Sequence, residues 1–572
     1  VRITKVTIEN FRNLADVEVP LQPGTVIVGE NRAGKSNFIH ALRLVLDPTL
    51  PNSERYLRRE DFWDGLSDGS PGWDPMVQAE EIKVSVEFSE FEDEPEALCA
   101  LADALIEGDP MIARLTYRYS PRAEQPDSGR PIYDWRISGG DREDVPVPND
   151  LRRYMWVAYL QALRDVQGDL AAWNRSPLRS LLQAAADAAS DSDLEAAAQA
   201  IADAQGKIAD LEPVKELAAS ITERTTEMVG ERHALETELG VAPLDPVRLI
   251  RSLRVFIDGT AHRPLGSASL GTLNVLYLAL LELGLEQRLE DAEIAHVLMA
   301  IEEPEAHLHP HLQRLIFRRL LREEQPTQTV VVTTHSPHVA SVADPRGLVI
   351  FRGSDDETEV AAAAEASLDE VEWNDIERYL DATRAEMVFA RRVLLVEGFA
   401  EQVLIPVLAE ADDVDLDKAG ITVCAIHGTH FASYVRFLEA LEIEWAVVTD
   451  GDPLAAGGSD GVKRAQRLMK ALDEEGEPED AGIFVGDTTF EYDLFEASDG
   501  NREWFLEAME AMAPSQNLRV EVAEWHQNAP DRDDLLRVVA RIGKGRLAQR
   551  LAQGSLDPPS YVQQALRHLV DE

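Results

Sequence analysis

Cysteine is nearly absent: Cys99 and Cys424 are the only two in 572 residues. Far apart and in apolar contexts, they read as small core residues. That excludes a disulfide framework or a cysteine zinc site and points to a reducing compartment. No apolar run reaches the ~18 residues needed to span a bilayer. The opening VRITKVTIENF alternates polar and apolar residues like a strand and lacks the apolar stretch of a signal peptide. A cytoplasmic protein with no membrane segment is the expectation. Positive charge is scarce too, with 55 Lys+Arg against 104 Asp+Glu and a formal net charge of −49. A protein that binds nucleic acid over its whole surface should be basic. This one can meet phosphate only where bound cations or local arginines reverse the field. Most of the acids read as solubilising surface.

What is present is a globular profile, 45% hydrophobic and 28% charged, in a chain long enough for two to four domains. Residues 1–50 read as strand, turn, strand, loop and helix, and 81–160 are β-rich between Pro/Gly/Asp loops. From about 165 to 240 the chain turns Ala-rich and nearly glycine-free, as helices require, with a break at Pro213. A short helical arm fits this better than a long coiled coil. The core resumes near 247, and a new apolar strand pattern starts at 392. The expected fold class is α/β: a first α/β domain over 1–165 and 246–385, a helical insert over 166–245, and a second α/β domain over 386–572.

The segment GENRAGKS, Gly29–Ser36, matches G-x-x-x-x-G-K-[ST] between an apolar strand and a helix. Gly29 and Gly34 let the loop through Asn31 wrap phosphates at a helix N-terminus. Lys35 then reaches the β/γ-phosphates of ATP, and the Ser36 hydroxyl holds Mg²⁺. Downstream, VLMAIEEPEAHLHP is a strand ending in Glu302 and Glu303. The first acid suits the Mg²⁺ shell and the second suits activating a water. VVVTTHSP ends another strand in His335, placed to sense a γ-phosphate.

A second constellation begins at RRVLLVEGFAE, where an apolar strand runs into Glu397 and Glu401. If Gly398 opens a helix, the two carboxylates share a side. IEWAVVTDGDP repeats the design with Asp450 and Asp452, which strand alternation would point the same way. Parallel strands bring such ends to one edge, where α/β sites form. Four acids there repel one another unless cations bind, and an oxygen-only donor set selects Mg²⁺ or Mn²⁺. Two such ions, ~4 Å apart, are the usual clamp for cleaving a phosphodiester. Solvated strand ends or helix caps are the plainer alternative.

The order IENFRNL, GENRAGKS, EEPEAHLHP, TTHSP resembles ABC-type ATPases of the SMC/RecF kind, especially the OLD (overcoming lysogenization defect) branch. The EGxxE and DxD pair resembles the TOPRIM domain of topoisomerases, primases and OLD-family nucleases. The resemblance implies a signature helix near LGSASLGTLNVL, with Ser269 and Gly271 completing a facing subunit's ATP site, although the LSGGQ form is not kept. It further implies a turn at Gly428, Glu491 as another metal ligand with Asp493 a weaker one, and Lys544 stabilising the transition-state phosphate. Arg541, Arg546 and Arg550 add a basic patch beside Lys544. From the family come dimerisation through the insert (with higher oligomers open), gating of the nuclease by nucleotide, a role in phage defence or DNA processing, and a UvrD-like helicase partner. The function so implied is an ATP-regulated, metal-dependent DNA endonuclease. Two alternatives stay open: an SMC/RecF-like repair scaffold with an inactive TOPRIM domain, and a TOPRIM module for strand passage or priming.

Overall fold

The computed structural model describes residues 1–571 except 107, 109, 123–130, 148–153, 162–164, 173–175, 230–238, 240–249, 251–252, 258–262, 291–292, 323–326, 355–356, 381–383 and 456. The resumption of the core near 247 and the end of the helical insert therefore lie largely outside the described residues. The chain divides into two compact units, Val1–Ala162 with Ala295–Glu572, and Leu163–Ile294.

The first unit is α/β, as expected. An antiparallel sheet carries strands in the order Leu14–Pro20, Arg2–Phe11, Ile82–Ser89, Ile112–Pro121, Tyr133–Gly139, Arg142–Pro146. The edge strand Leu14–Pro20 alternates buried with more exposed residues, because one of its faces meets solvent, whereas the inner strand Ile82–Ser89 is buried along most of its length. A second sheet runs Glu357–Ala362, Leu348–Ser354, Gly24–Gly29, Gln328–Thr333, His296–Glu302, Met155–Leu160, and is parallel except at its first strand. The helix Lys35–Leu46 shares one continuous core with both sheets through Phe38, Ile39, Leu42 and Val45. Strands covered on both faces read as unbroken apolar runs, which is why His296–Glu302 is buried up to its last residue.

A third, fully parallel sheet lies in the order Ile421–Ala425, Arg392–Val396, Glu444–Thr449, Ile483–Val485. Val396 pairs with Ala425 on one side and Val448 on the other, so the strand ends that precede Glu397 and Asp450 are level. Helices Phe399–Ala411, Phe490–Glu496, Asp499–Met512, Arg532–Ile542, Lys544–Leu551 and Ser560–Asp571 pack a separate core on this sheet.

The second unit is helical: Val166–Ala171, Leu178–Asp187, Asp191–Ala209, Glu212–Val229 and Leu270–Glu290. Pro213 falls in the first turn of a helix, where its missing N–H costs nothing. Asp191–Ala209 has no buried residue, and the unit's core is small, centred on Val166, Leu170, Leu273 and Leu280. Among the described residues, no helix is long and apolar enough to cross a membrane.

Candidate functional sites

The P-loop strand Gly24–Gly29 delivers its loop to the helix Lys35–Leu46. Gly34 caps that helix at φ 92°, a left-handed conformation that glycine adopts without strain. Lys35 is buried and its Nζ donates to the carbonyls of Gly29 (2.7 Å) and Glu30 (2.8 Å). Burial pulls its pKa down against the opposing fields of Glu303, Glu305 and Glu30. Ser36 and Asn31 lie on the exposed side of the turn. Glu302 stands within hydrogen-bonding reach of Ser36, and burial raises its pKa. It also accepts a bond from the Tyr159 hydroxyl at 3.2 Å. Glu303 sits at φ 40°, a strained conformation for a glutamate, and its Oε1 is 3.7 Å from His335 Nε2. The His335 amide donates to Glu305 Oε1 at 2.7 Å. The structure thus brings Lys35, Ser36, Glu302, Glu303 and His335 to one edge. Ser269 and Gly271 lie in the second unit, where the Ser269 hydroxyl accepts from the Thr272 amide and Gly271 is buried in the first turn of Leu270–Glu290.

At the third sheet, Gly398 opens the helix Phe399–Ala411 as expected, which buries Glu401 within a turn of Glu397. The Gly428 amide donates to the Glu397 carbonyl at 3.1 Å, fixing the turn after the neighbouring strand. Strand alternation, however, does not align Asp450 with Asp452. The strand ends at Thr449 and Asp452 turns to φ 45°. What holds the DGD loop is close packing: a Cβ on Gly451 would lie 2.2 Å from the Gly486 carbonyl oxygen, and one on Gly461 would lie 2.0 Å from that of Asp450.

Each acid has a distinct environment. Glu397 Oε1 accepts from the Thr449 hydroxyl, from the Asp450 amide (2.9 Å) and from Arg464 (3.1 Å). Asp450 Oδ1 accepts from the Phe490 amide at 2.8 Å, which seats the helix carrying Glu491. Burial, then repulsion from Glu397 and Glu401, pushes the Asp450 pKa up to about 8. Burial does the same to Glu401, aided by Glu491 and Glu397, up to about 7. Glu491 is buried and ion-paired to Lys544 Nζ at 2.9 Å. Burial lowers the Lys544 pKa, but the pull of Glu491, Asp450 and Glu401 outweighs it and the net shift is upward. Asp493 is turned away to cap Thr488, whose amide lies 3.0 Å from both carboxylate oxygens.

The donor chemistry suits a divalent cation. Glu397, Glu401, Asp450 and Glu491 lie within one another's fields, and such a cluster is relieved by a cation or by protonation. Two neighbouring hydroxyls, Thr489 Oγ1 and Tyr561 Oη, are buried without a hydrogen-bond partner, and burial together with Asp493, Asp450 and Glu401 raises the tyrosine's pKa. Among the described residues no three His, Cys, Asp or Glu side chains converge in a metal-holding arrangement. The nearby cations are instead Arg464 and Lys544. Sequence patterns did not reveal Arg464, Thr489, Tyr561 or Tyr159. Arg464 lies in an amphipathic helix with no motif around it, and the others are single residues whose neighbours come from distant segments. Thr449, directly before Asp450, carried a positional signal.

A P-loop ATPase with a parallel-sheet acid site in one chain defines an ATPase–TOPRIM protein. The model for the Overcoming lysogenization defect protein-like TOPRIM domain matches residues 388–452, an AAA ATPase domain model matches 2–98, and the model described as AAA domain, putative AbiEii toxin, Type IV TA system, matches 106–341. The OLD nuclease of Thermus scotoductus is 26% identical over 83% of this chain and 87% of its own length. Endonuclease GajA of Bacillus cereus is 23% identical over 82% and 78%. The C-terminal region of the Burkholderia pseudomallei OLD protein is 37% identical over 32% of this chain and 98% of that one, with a TM-score of 0.30. The chain thus carries an OLD-like TOPRIM domain behind AAA-type ATPase domains and is homologous over most of its length to the OLD nuclease and endonuclease GajA.

Proposed function

We propose that this chain is an ATP-regulated, divalent-metal-dependent DNA endonuclease. The observation that carries the reading is the gathering of Glu397, Glu401, Asp450 and Glu491 at one edge of a parallel sheet, with Lys544 beside them. The curated relatives named as nucleases span most of the chain and support it. Glu397, Glu401, Asp450, Asp452 and Glu491 would hold the ions, with Mg²⁺ or Mn²⁺ favoured by the all-oxygen donor set and two ions by the number of acids. When bound, such ions supply Lewis acidity at the scissile phosphate.

The chain's own residues do the rest. Lys544 opens a helix at the rim, half-exposed, and its ammonium faces charge that builds on a phosphate. Thr449 and the Asp450 amide hold Glu397 in one orientation. In the ATPase part, Lys35, now on the loop carbonyls of Gly29 and Glu30, would turn to phosphate oxygens of a bound nucleotide, Ser36 and Glu302 would hold its Mg²⁺, Glu303 would orient water, and His335 would meet the γ-phosphate. We assign 1–165 and 246–385 to ATP binding, 166–245 to dimerisation and 386–572 to cleavage. Homodimerisation, phage defence and a helicase partner follow from family likeness alone.

Incubation of supercoiled plasmid with MgCl₂ or MnCl₂ tests the reading. Nicked and linear products that disappear in Glu397→Ala support it. DNA left intact with every metal while ATP turns over would favour the SMC/RecF-like scaffold.

A further inference from the structure

Arg464 stands among the acids and neither motif includes it. Its guanidinium donates to Thr449 Oγ1 (3.1 Å), the Asp450 carbonyl (2.7 Å), Glu397 Oε1 (3.1 Å) and Asp452 Oδ2 (3.0 and 3.1 Å). The side chain is 16% exposed, unlike an ordinary surface ion pair. Its helix, Asp460–Ala471, is seated by Gly461 against the Asp450 carbonyl, and the Ser459 hydroxyl donates to the Gly451 carbonyl. A rigid, planar fork is therefore aimed at two carboxylates that come from different strand ends.

We propose that Arg464 is the resident counter-ion of the acid site, gripping Glu397 and Asp452 until divalent cations displace it. The inference rests on the metal-dependent reading above. The oxygens that Arg464 occupies, Glu397 Oε1 and Asp452 Oδ2, are ones a cation would need. A guanidinium at that distance also repels a divalent ion directly. The grip and cation binding therefore compete for the same carboxylates. Without cations the arginine keeps the acids from pushing the loop apart. With cations it lets go. Arg464 is in this sense a positioning residue that sets how much divalent ion the site needs before it can work.

Calorimetric titration of the full chain with MnCl₂, with MgCl₂ in parallel, tests this. Removing the competitor in Arg464→Met tightens Mn²⁺ binding about tenfold, the equivalent of one charge-assisted hydrogen bond. The metal-free thermal midpoint falls, and the rise on adding Mn²⁺ grows. Arg464→Lys, which keeps the charge but loses the fork, falls between. Unchanged or weaker binding in Arg464→Met overturns the proposal and makes the arginine a structural support for the ligands. A measurement on the unmutated chain covers a variant that does not fold. Phenylglyoxal modification at Arg464, mapped by peptide mass, rises severalfold with MnCl₂ while Arg467 is unchanged. Equal or lower reactivity at Arg464 overturns the idea. An unmutated chain that binds no Mn²⁺ at all overturns the metal reading itself, a different result from a chain that binds but does not tighten on mutation.

Discussion

Gly451→Ala isolates the packing that holds the DGD loop. Gly451 is not among the glycines with positive φ, so an alanine meets no backbone objection. The objection is space: the new methyl would sit 2.2 Å from the Gly486 carbonyl oxygen and 2.7 Å from the carbonyl carbon and oxygen of Asp487, all backbone atoms. Ordinary contact is near 3.4 Å or beyond, so the loop and the segment after strand Ile483–Val485 must separate by about an ångström. Overpacking of this kind costs about 1–3 kcal/mol, offset by roughly 0.4–1 kcal/mol from the stiffer unfolded chain. A net loss of about 1–2 kcal/mol lowers the midpoint of the transition carrying this sheet by roughly 2–8 °C. The same displacement moves Asp450 and, through the Phe490 amide, the helix bearing Glu491. A misplacement of about 1 Å costs roughly 100-fold in rate. Thermal melts and plasmid nicking measure the two effects. Gly428→Ala is the control, because a Cβ there meets nothing within 4 Å. A Gly451→Ala chain with the midpoint and nicking rate of the unmutated protein refutes the packing argument.

Three other outcomes are expected. In EDTA the thermal midpoint rises as pH falls from about 8.5 to 6. Asp450 and Glu401 are raised to about 8 and about 7 in the fold, so the folded state takes up protons there that the unfolded state does not; the contribution is lost as pH rises through those values, and Asp450→Asn flattens the slope. Lys35→Ala abolishes nucleotide binding by equilibrium dialysis while leaving metal-dependent nicking without nucleotide in place, because among the described residues Lys35 donates to the loop carbonyls of Gly29 and Glu30. Lys544→Met lowers the nicking rate by about 100–1,000-fold, on the scale of one lost transition-state donor. It also leaves Glu491 buried without its ion-pair partner, so the metal-free midpoint falls as well; an unchanged rate would remove Lys544 from the chemistry.

Some of this was legible in the chain because it is local. An apolar strand running into acids, a glycine-flanked lysine before a helix, and Gly398 opening a helix are each written within a dozen residues. The α/β class followed from the spacing of such segments. One local inference did not survive: Asp450 and Asp452 were expected to align as alternate strand residues, but the strand stops at Thr449. Gly486 and Gly461 pack against the loop there so closely that neither Gly451 nor Gly461 has room for a Cβ, and Gly486 comes from beyond a different strand, far along the chain.

By itself the sequence determined which groups are available: the P-loop, the paired glutamates, the DGD loop, and an excess of acids over bases. Tertiary structure alone decided how those groups are charged and partnered. Burial, with repulsion from the neighbouring carboxylates, lifts Asp450 and Glu401 toward neutral pH, and desolvation is a property of packing that no motif encodes. The same packing sets Arg464 across Glu397 and Asp452, and Lys544 against Glu491. Charges far apart in the chain interact only once the fold removes the water between them.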